Sequence, residues 1–490
     1  MSRKHKIGAS VALGIAGTLG AVVVQIALPA ILLRQWDSHM YALMIAVQGL
    51  AAYAGAADVG VQPLLLRQLS VLLARGEHAR ARGWGATSLT LLSGLALLGG
   101  GTLVGTAAAA GDRLFGAIAA ESGASTSAVL WALLLNVIAA VTGIIFGGWS
   151  SAVEVARGRY HLPPLASLVR LILSNVSLVW AALHGLPVSQ ALAAFAGTAI
   201  AVDVARFVGS VDFLRGDRDA IPILDVLRNL RGAPLSALGI ATTGGLLPAG
   251  VSIAEPQYAA TAMPTRTLSN ASRLVTGAVV NSLWAPMSVR MEELREDSTE
   301  RTRLANSAAR ALAAIHAGSI AGIILVAPLF VPHWLPEQSA TILAILPLFL
   351  YEQVAGVMLA PAQVTLPAAG RFGYIGGANI LAGMTALAIA VLTMPRYGAA
   401  GFGLGLAIGA LAVAVPMMLV GERAYWRSVG VAVRLHARAA ITLVSAVAVS
   451  LLFVSATLSA LAALLLGGFA LRELRRAASE FLPPRGSDAT

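Results

Sequence analysis

The sequence predicts an all-α polytopic membrane protein. It should have about fourteen transmembrane helices, set in two six-helix lobes related by a pseudo-twofold parallel repeat, plus a C-terminal helix pair. Three observations carry this reading. Of 490 residues, 57% are hydrophobic and only 12% charged, with a mean hydropathy of +0.79, whereas soluble proteins are about one quarter charged. Apolar runs of ~20 residues recur along the whole length, each long enough to cross ~30 Å of hydrocarbon. The basic residues, finally, gather in alternate short loops.

In chain order the expected spans are 8–33, 40–66, 83–110, 128–149, 164–184, 189–211 and 234–252, then 258–288, 306–331, 339–365, 373–394, 400–420, 438–455 and 457–472. The start, Ser2-Arg3-Lys4-His5-Lys6 ahead of an apolar run to Leu33, is too long for a signal-peptide core and suits an uncleaved first span. With the N-terminus inside, 25 arginines and lysines fall in inside segments, three (Arg34, Arg113, Arg396) in outside loops and six within spans. The split predicts that both termini are cytoplasmic, and it assigns the net charge of +11 to topology instead of nucleic-acid binding. Zero cysteines exclude a disulfide framework, a thiolate metal site and a cysteine nucleophile.

A weak internal repeat supports the two lobes. Asp58-Val-Gly-Val-Gln-Pro63-Leu-Leu-Leu-Arg67 ends span two, and Asn281-Ser-Leu-Trp-Ala-Pro286-Met-Ser-Val-Arg290 ends span eight. Gly158-Arg159-Tyr160 before span five recurs as Gly370-Arg371-Phe372 before span eleven. Halves of six spans share an orientation, so their axis runs along the membrane normal. The expected organisation is a lobe over 1–215, a second over 216–425, and a helix pair with a cytoplasmic tail over 426–490.

Span eight holds the leading candidate site. Arg266, Asn270, Arg273, Gly277 and Asn281 fall within one arc of about 80° on a helix. A guanidinium in the bilayer costs at least ~2.5–3.5 kcal/mol on insertion scales and does not lose its proton to escape. The stripe therefore faces a watery cavity, a partner residue or an anionic substrate. Glu352, near the middle of span ten between Tyr351 and Gln353, is the natural partner: a proton carrier, a gate, or a static salt bridge to Arg273. Asp58 and Arg67 sit toward the cytoplasmic end of span two, with Pro63 between them as a kink. Asp203 and Arg206 form an i, i+3 pair in span six, and Arg170 and Arg310 are placed to snorkel. Gln25 is the only strongly polar side chain in the core of span one; it, Asn136, Asn175 and Asn379 suit interhelical hydrogen bonds. Pro29, Pro248, Pro264 and Pro361 are expected kinks.

The run Tyr41-Ala-Leu-Met-Ile, Asp58-Val-Gly-Val-Gln-Pro63, Arg67 and Arg75-Gly-Glu resembles the second-span signature of the Wzx-type polysaccharide and O-antigen flippases. These belong to the multidrug/oligosaccharidyl-lipid/polysaccharide exporter (MOP) superfamily. Leu283-Trp-Ala-Pro286-Met-Ser and the Gly398-Ala-Ala-Gly opening of span twelve are similar to the same family. The resemblance implies an alternating-access flippase of the bacterial inner membrane. It would move undecaprenyl-diphosphate-linked oligosaccharide from the cytoplasmic to the periplasmic leaflet for polysaccharide, O-antigen, lipopolysaccharide or capsule export.

On that reading Arg266, Asn270, Arg273, Asn281 and Gln25 bind substrate, and Glu352, Asp58 and Arg67 couple or gate. The partners implied are the lipid-linked oligosaccharide, membrane lipids, and a polysaccharide polymerase and co-polymerase; nucleic acid is not among them. No cofactor or metal is expected, and uphill work would draw on H+ or Na+ or on consumption of the product. The chain departs from relatives that carry a basic residue in the core of span one.

Competing readings are a lipid II flippase and, less well supported, a cation-coupled multidrug exporter, since spans one and seven lack the acidic residues a cationic drug needs. A glycan polymerase or ligase would need a large outer loop with catalytic side chains. The longest outer loop, 111–127, offers one Asp, one Arg and one Glu, so an enzyme is not expected.

Overall fold

The computed structural model describes residues 17, 20–58, 60–159, 161–230, 233–294, 296–368, 371–432 and 435–481. It is all-helical among these residues, with no strand. Contacts divide the chain into two compact units, Met1–Ala260 and Thr261–Thr490.

Unit 1 begins with α1 (Gly20–Leu32). In α2 (Ser38–Tyr53) the Asp37 carboxylate caps the first turn by accepting from the Met40 N–H at 2.8 Å. A 3-10 stretch, Ala54–Asp58, and Gly60 at φ +82° separate it from α3 (Val61–Ala74). There the Asp58 carboxylate accepts from the Gln62 N–H at 3.1 Å, so it caps the restarted helix. Next come α4 (His78–Ala109), the short α5 (Gly111–Glu121), α6 (Thr126–Thr142) and α7 (Trp149–Ala156). The unit continues with α8 (Leu162–Leu183), α9 (Val188–Ser210), α10 (Ile223–Asn229), α11 (Ala233–Ala241) and α12 (Leu247–Ala254). Its core is anchored by Trp149, which is fully buried and donates from Nε1 to the Gly85 carbonyl at 2.9 Å.

Unit 2 holds α13 (Ala259–Glu293), α14 (Ser298–Trp334), α15 (Ser339–Ala368) and α16 (Phe372–Tyr397). It ends with α17 (Ala399–Ile408), α18 (Val415–Ser428), α19 (His436–Ser450) and α20 (Ala456–Phe481). Small residues let α16 and α17 touch closely: a Cβ on Gly405 or Gly409 would lie 2.5 or 2.4 Å from the Ala386 or Ala382 carbonyl oxygen.

Twelve helices among the described residues are long and apolar enough to cross a membrane, and they coincide with expected spans two to seven and nine to fourteen. Only 20–32 of the first span meets the description, as a shorter apolar helix. Span eight is the 35-residue α13, whose hydroxyls, Asn270, Arg266 and Arg273 dilute its hydropathy below that of the other spans.

The stretches where the helical ladder widens all hold glycine. Pro264 and Pro361 lie inside the uninterrupted α13 and α15. The ladder widens instead to π-helical geometry at the glycine-containing stretches Gly143–Gly148, Thr242–Leu246 and Gly409–Ala414. Pro248 sits just after the second of these, as the second residue of α12.

Candidate functional site

In unit 2 the span-eight stripe meets α15. Gln353, only 1% exposed, ties the two helices: its Nε2 donates to Asn270 Oδ1 at 3.2 Å and its Oε1 accepts from Ser272 Oγ at 3.0 Å. One residue earlier, Glu352 Oε1 accepts from Arg273 Nη1 at 3.4 Å. That is long for a charge-assisted bond. Glu352 is largely buried, with 13% of its side chain exposed, while Arg273 keeps 42% of its side chain exposed. The other carboxylate oxygen, Oε2, is buried without a hydrogen-bond partner among the described residues. Arg266 is buried, and its guanidinium lies 5.6 Å from the centre of the Phe402 ring, within cation–π range. Phe349 meets the same ring edge to face at 5.6 Å. The sequence thus identifies Arg273 and Glu352 as neighbours but misses Gln353 as the residue that fixes Asn270.

The remaining sequence candidates lie apart from this cluster or outside the described atoms. Gly277 sits on the stripe with open space where a Cβ would be. The side chains of Asn281, Pro63 and Arg67 are outside the described residues, as are Tyr160 and Gly370. Gln25 is half-buried on α1. Asp58 is committed to its cap on Gln62.

Unit 1 holds a cavity of about 470 Å³ that sequence reading did not find. Gln48, Gln62, Asn136, Arg170, Asp203 and Arg206 contribute its polar lining. The expected local Asp203–Arg206 pair is replaced by two pairs across helices. Arg170 Nε lies 2.9 Å from Asp203 Oδ2, and Arg206 grips Glu154 with Nη2 and, at 3.2 Å, with Nε. The reason is helical geometry: α8 presents Arg170 directly to α9, so Asp203 finds a cation there and leaves Arg206 to the buried Glu154 of α7. Arg170 therefore does not snorkel, and neither does Arg310, which reaches Glu473 at 4.0 Å. Asn136 behaves as expected, donating to Leu192 O across to α9 at 3.3 Å and to Ala132 O of its own helix at 2.8 Å. Asn175 differs, since its amide donates to Leu171 O within α8 at 2.7 Å.

A third buried pair, Glu422 with Arg438, joins α18 to α19. Arg438, the first residue of the expected span 438–455, is wholly buried. A single sequence could have signalled it only through the lone acid in α18.

No family model and no curated protein matches the chain. Solved structures do. The lipid II flippase MurJ in an inward closed conformation matches at 12% identity over 97% of this chain and 99% of its own, with a TM-score of 0.62. A MATE protein in complex with MaD3S matches at 16% identity over 88% of this chain and 97% of its own, with a TM-score of 0.60. An inward-facing multidrug resistance MATE transporter of the MOP superfamily matches at 15% identity over 84% of this chain and 95% of its own, with a TM-score of 0.56. The chain has the two-lobe, all-helical fold of these MATE and MurJ transporters of the MOP superfamily.

Proposed function

We propose that this protein is an inner-membrane flippase for undecaprenyl-diphosphate-linked oligosaccharide, working by alternating access with both termini in the cytoplasm. The observation that carries the reading is Arg273: a guanidinium held by one long contact to Glu352, with 42% of its side chain still exposed. A cation serving only as a structural lock would be enclosed on all sides, as Arg438 is. Arginine suits a diphosphate because its fork donates bidentately and stays charged at any height in the bilayer. An arriving phosphate competes with Glu352 for Arg273, which couples substrate binding to release of the carboxylate. Gln353 holds Asn270 beside this exchange.

A lipid II flippase is the second reading, favoured by the MurJ match over 97% of this chain against 84–88% for the MATE proteins. Its cargo presents the same lipid diphosphate, so Arg273 would serve it equally. A multidrug exporter fits less well. The acids around the unit 1 cavity, Asp203 and Glu154, are each held by an arginine and leave no free negative charge for a cationic drug.

The test is complementation in a strain lacking the gene. Arg273→Ala should abolish surface glycan at normal protein level and Arg273→Lys should restore only part of it. Full export by Arg273→Ala would remove the binding role. Rescue of a strain depleted of its lipid II flippase, with surface glycan unaffected by the deletion, would favour the second reading. For Glu352→Gln, transport with an unchanged pH dependence would exclude Glu352 as a proton site.

A further inference from the structure

We propose that the unit 1 cavity is a second substrate subsite that takes an uncharged, hydroxyl-rich glycosyl group. This assignment rests on the flippase reading above. The cavity, at about 470 Å³, lies within the ~300–1,000 Å³ range of small-molecule sites. It is also built to keep its polar groups at the wall. Gly143, Gly147 and Gly148 of the π-helical stretch Gly143–Gly148 open part of its wall to bare backbone. A Cβ on Gly147 would lie 2.8 Å from Asp203 Oδ1, and one on Gly148 only 2.0 Å from Gln62 Nε2. On Gly143 it would come within 3.2 Å of Arg170 Nη2. Three glycines in six residues thus let a carboxylate, an amide and a guanidinium lie against backbone. Two of those groups bind the carbonyls beside them: Gln62 Nε2 donates to Ile144 O at 3.3 Å, and Arg170 Nη2 to Ala139 O at 3.3 Å.

The charge at the wall selects the ligand. Of the lining residues, Arg170 pairs with Asp203, and Arg206 pairs with Glu154 just behind the wall, so the formal sum over the two pairs is zero. A phosphate entering here would have to displace a carboxylate and leave it buried without a partner, and a metal ion would meet two guanidiniums. Hydroxyls have neither difficulty, since each donates to a carboxylate and accepts from a guanidinium or amide without breaking a pair. Phe195 adds an aromatic ring to the lining, suited to the C–H face of a sugar. Gln48 supplies the telling atom: its Nε2 is buried and has no hydrogen-bond partner among the described residues, although Gln48 lines this cavity. A buried amide donor without a partner is costly, and turning the Gln48 amide into the cavity to meet a sugar hydroxyl would supply the missing bond. Arg170, with 37% of its side chain exposed, marks the reachable side.

Because the chain has no cysteine, Ser167→Cys places a single thiol on the cavity wall. Its labelling by a soluble maleimide is followed in the purified full chain with three probes. These are the oligosaccharide released by mild acid from the host's lipid-linked pool, farnesyl diphosphate, and exchange of sodium for choline. The released oligosaccharide alone should slow labelling. Gln48→Leu removes a donor with no partner to lose, so it should fold normally. It should weaken this protection about tenfold, the worth of one hydrogen bond. Equal protection by farnesyl diphosphate would make this a phosphate site, and a sodium effect would make it a cation site. No change with any probe, in a protein whose deletion abolishes glycan export, would overturn the subsite and leave the flippase reading standing. Undiminished export in the deletion strain would overturn the flippase reading instead.

Discussion

Arg438 and Glu422 offer the sharpest test of how unit 2 holds charge in its interior. Arg438 has no exposed surface and Glu422 has 2%. The carboxylate accepts from Arg438 Nη1 at 3.1 and 2.9 Å and from Trp426 Nε1 at 3.3 Å. The other guanidinium nitrogen, Nη2, donates to the Met358 carbonyl, so α15, α18 and α19 share one knot. Glu422→Leu leaves a guanidinium that neither sheds its proton nor reaches solvent, and the expected cost is about 3–5 kcal/mol. For a unit of this size that lowers the apparent melting temperature by on the order of 10 °C. The assay is thermal unfolding in mild detergent, followed by the amount of monodisperse protein remaining. Glu422→Leu with Arg438→Met removes both charges and should recover most of the loss, because an apolar replacement no longer strands an ion. A single variant melting within a degree or two of the parent would refute the reasoning. So would a double variant less stable than the single.

Three further outcomes follow from named contacts. Gln353→Leu removes the donor to Asn270 Oδ1 and leaves Ser272 Oγ only the Ser269 carbonyl, and should destabilise unit 2 by about 1–2 kcal/mol while lowering export, read as melting temperature and surface glycan in parallel. Gly405→Val drives a side chain into the Ala386 carbonyl 2.5 Å away and should cost at least about 1–3 kcal/mol by overpacking, seen as reduced monodisperse yield. Segment 217–221 is strapped to the start of α4, with Arg82 Nε donating to Asp217 O at 2.7 Å and Thr87 Oγ1 to Ile221 O at 3.0 Å. A Cβ on Gly83 would lie 2.1 Å from Asp219 O, so Gly83→Leu should lift the strap and speed tryptic cleavage at Arg215 or Arg218. Cleavage in inside-out vesicles and not in spheroplasts would also establish the cytoplasmic placement of this loop.

The order of amino acids alone reveals the helical membrane class, twelve of the spans and the polar stripe of α13. These depend on composition within ~20 residues and on the 3.6-residue period, both of which are local properties. It also brought Arg273 and Glu352 to comparable depth, because position along a span reports height in the bilayer. Which side chains meet at a given height is a different matter, since it depends on how each helix is rotated and which neighbour it faces. Only the tertiary structure could turn Asp203 toward Arg170 and Arg206 toward Glu154, bury Arg438 against Glu422, and place Gln353 between Asn270 and Ser272. The π-helical stretch in the wall of the unit 1 cavity belongs with these. Its glycines look like ordinary small residues in a span, and their purpose shows only when Asp203 and Gln62 are seen to occupy the space a Cβ would take.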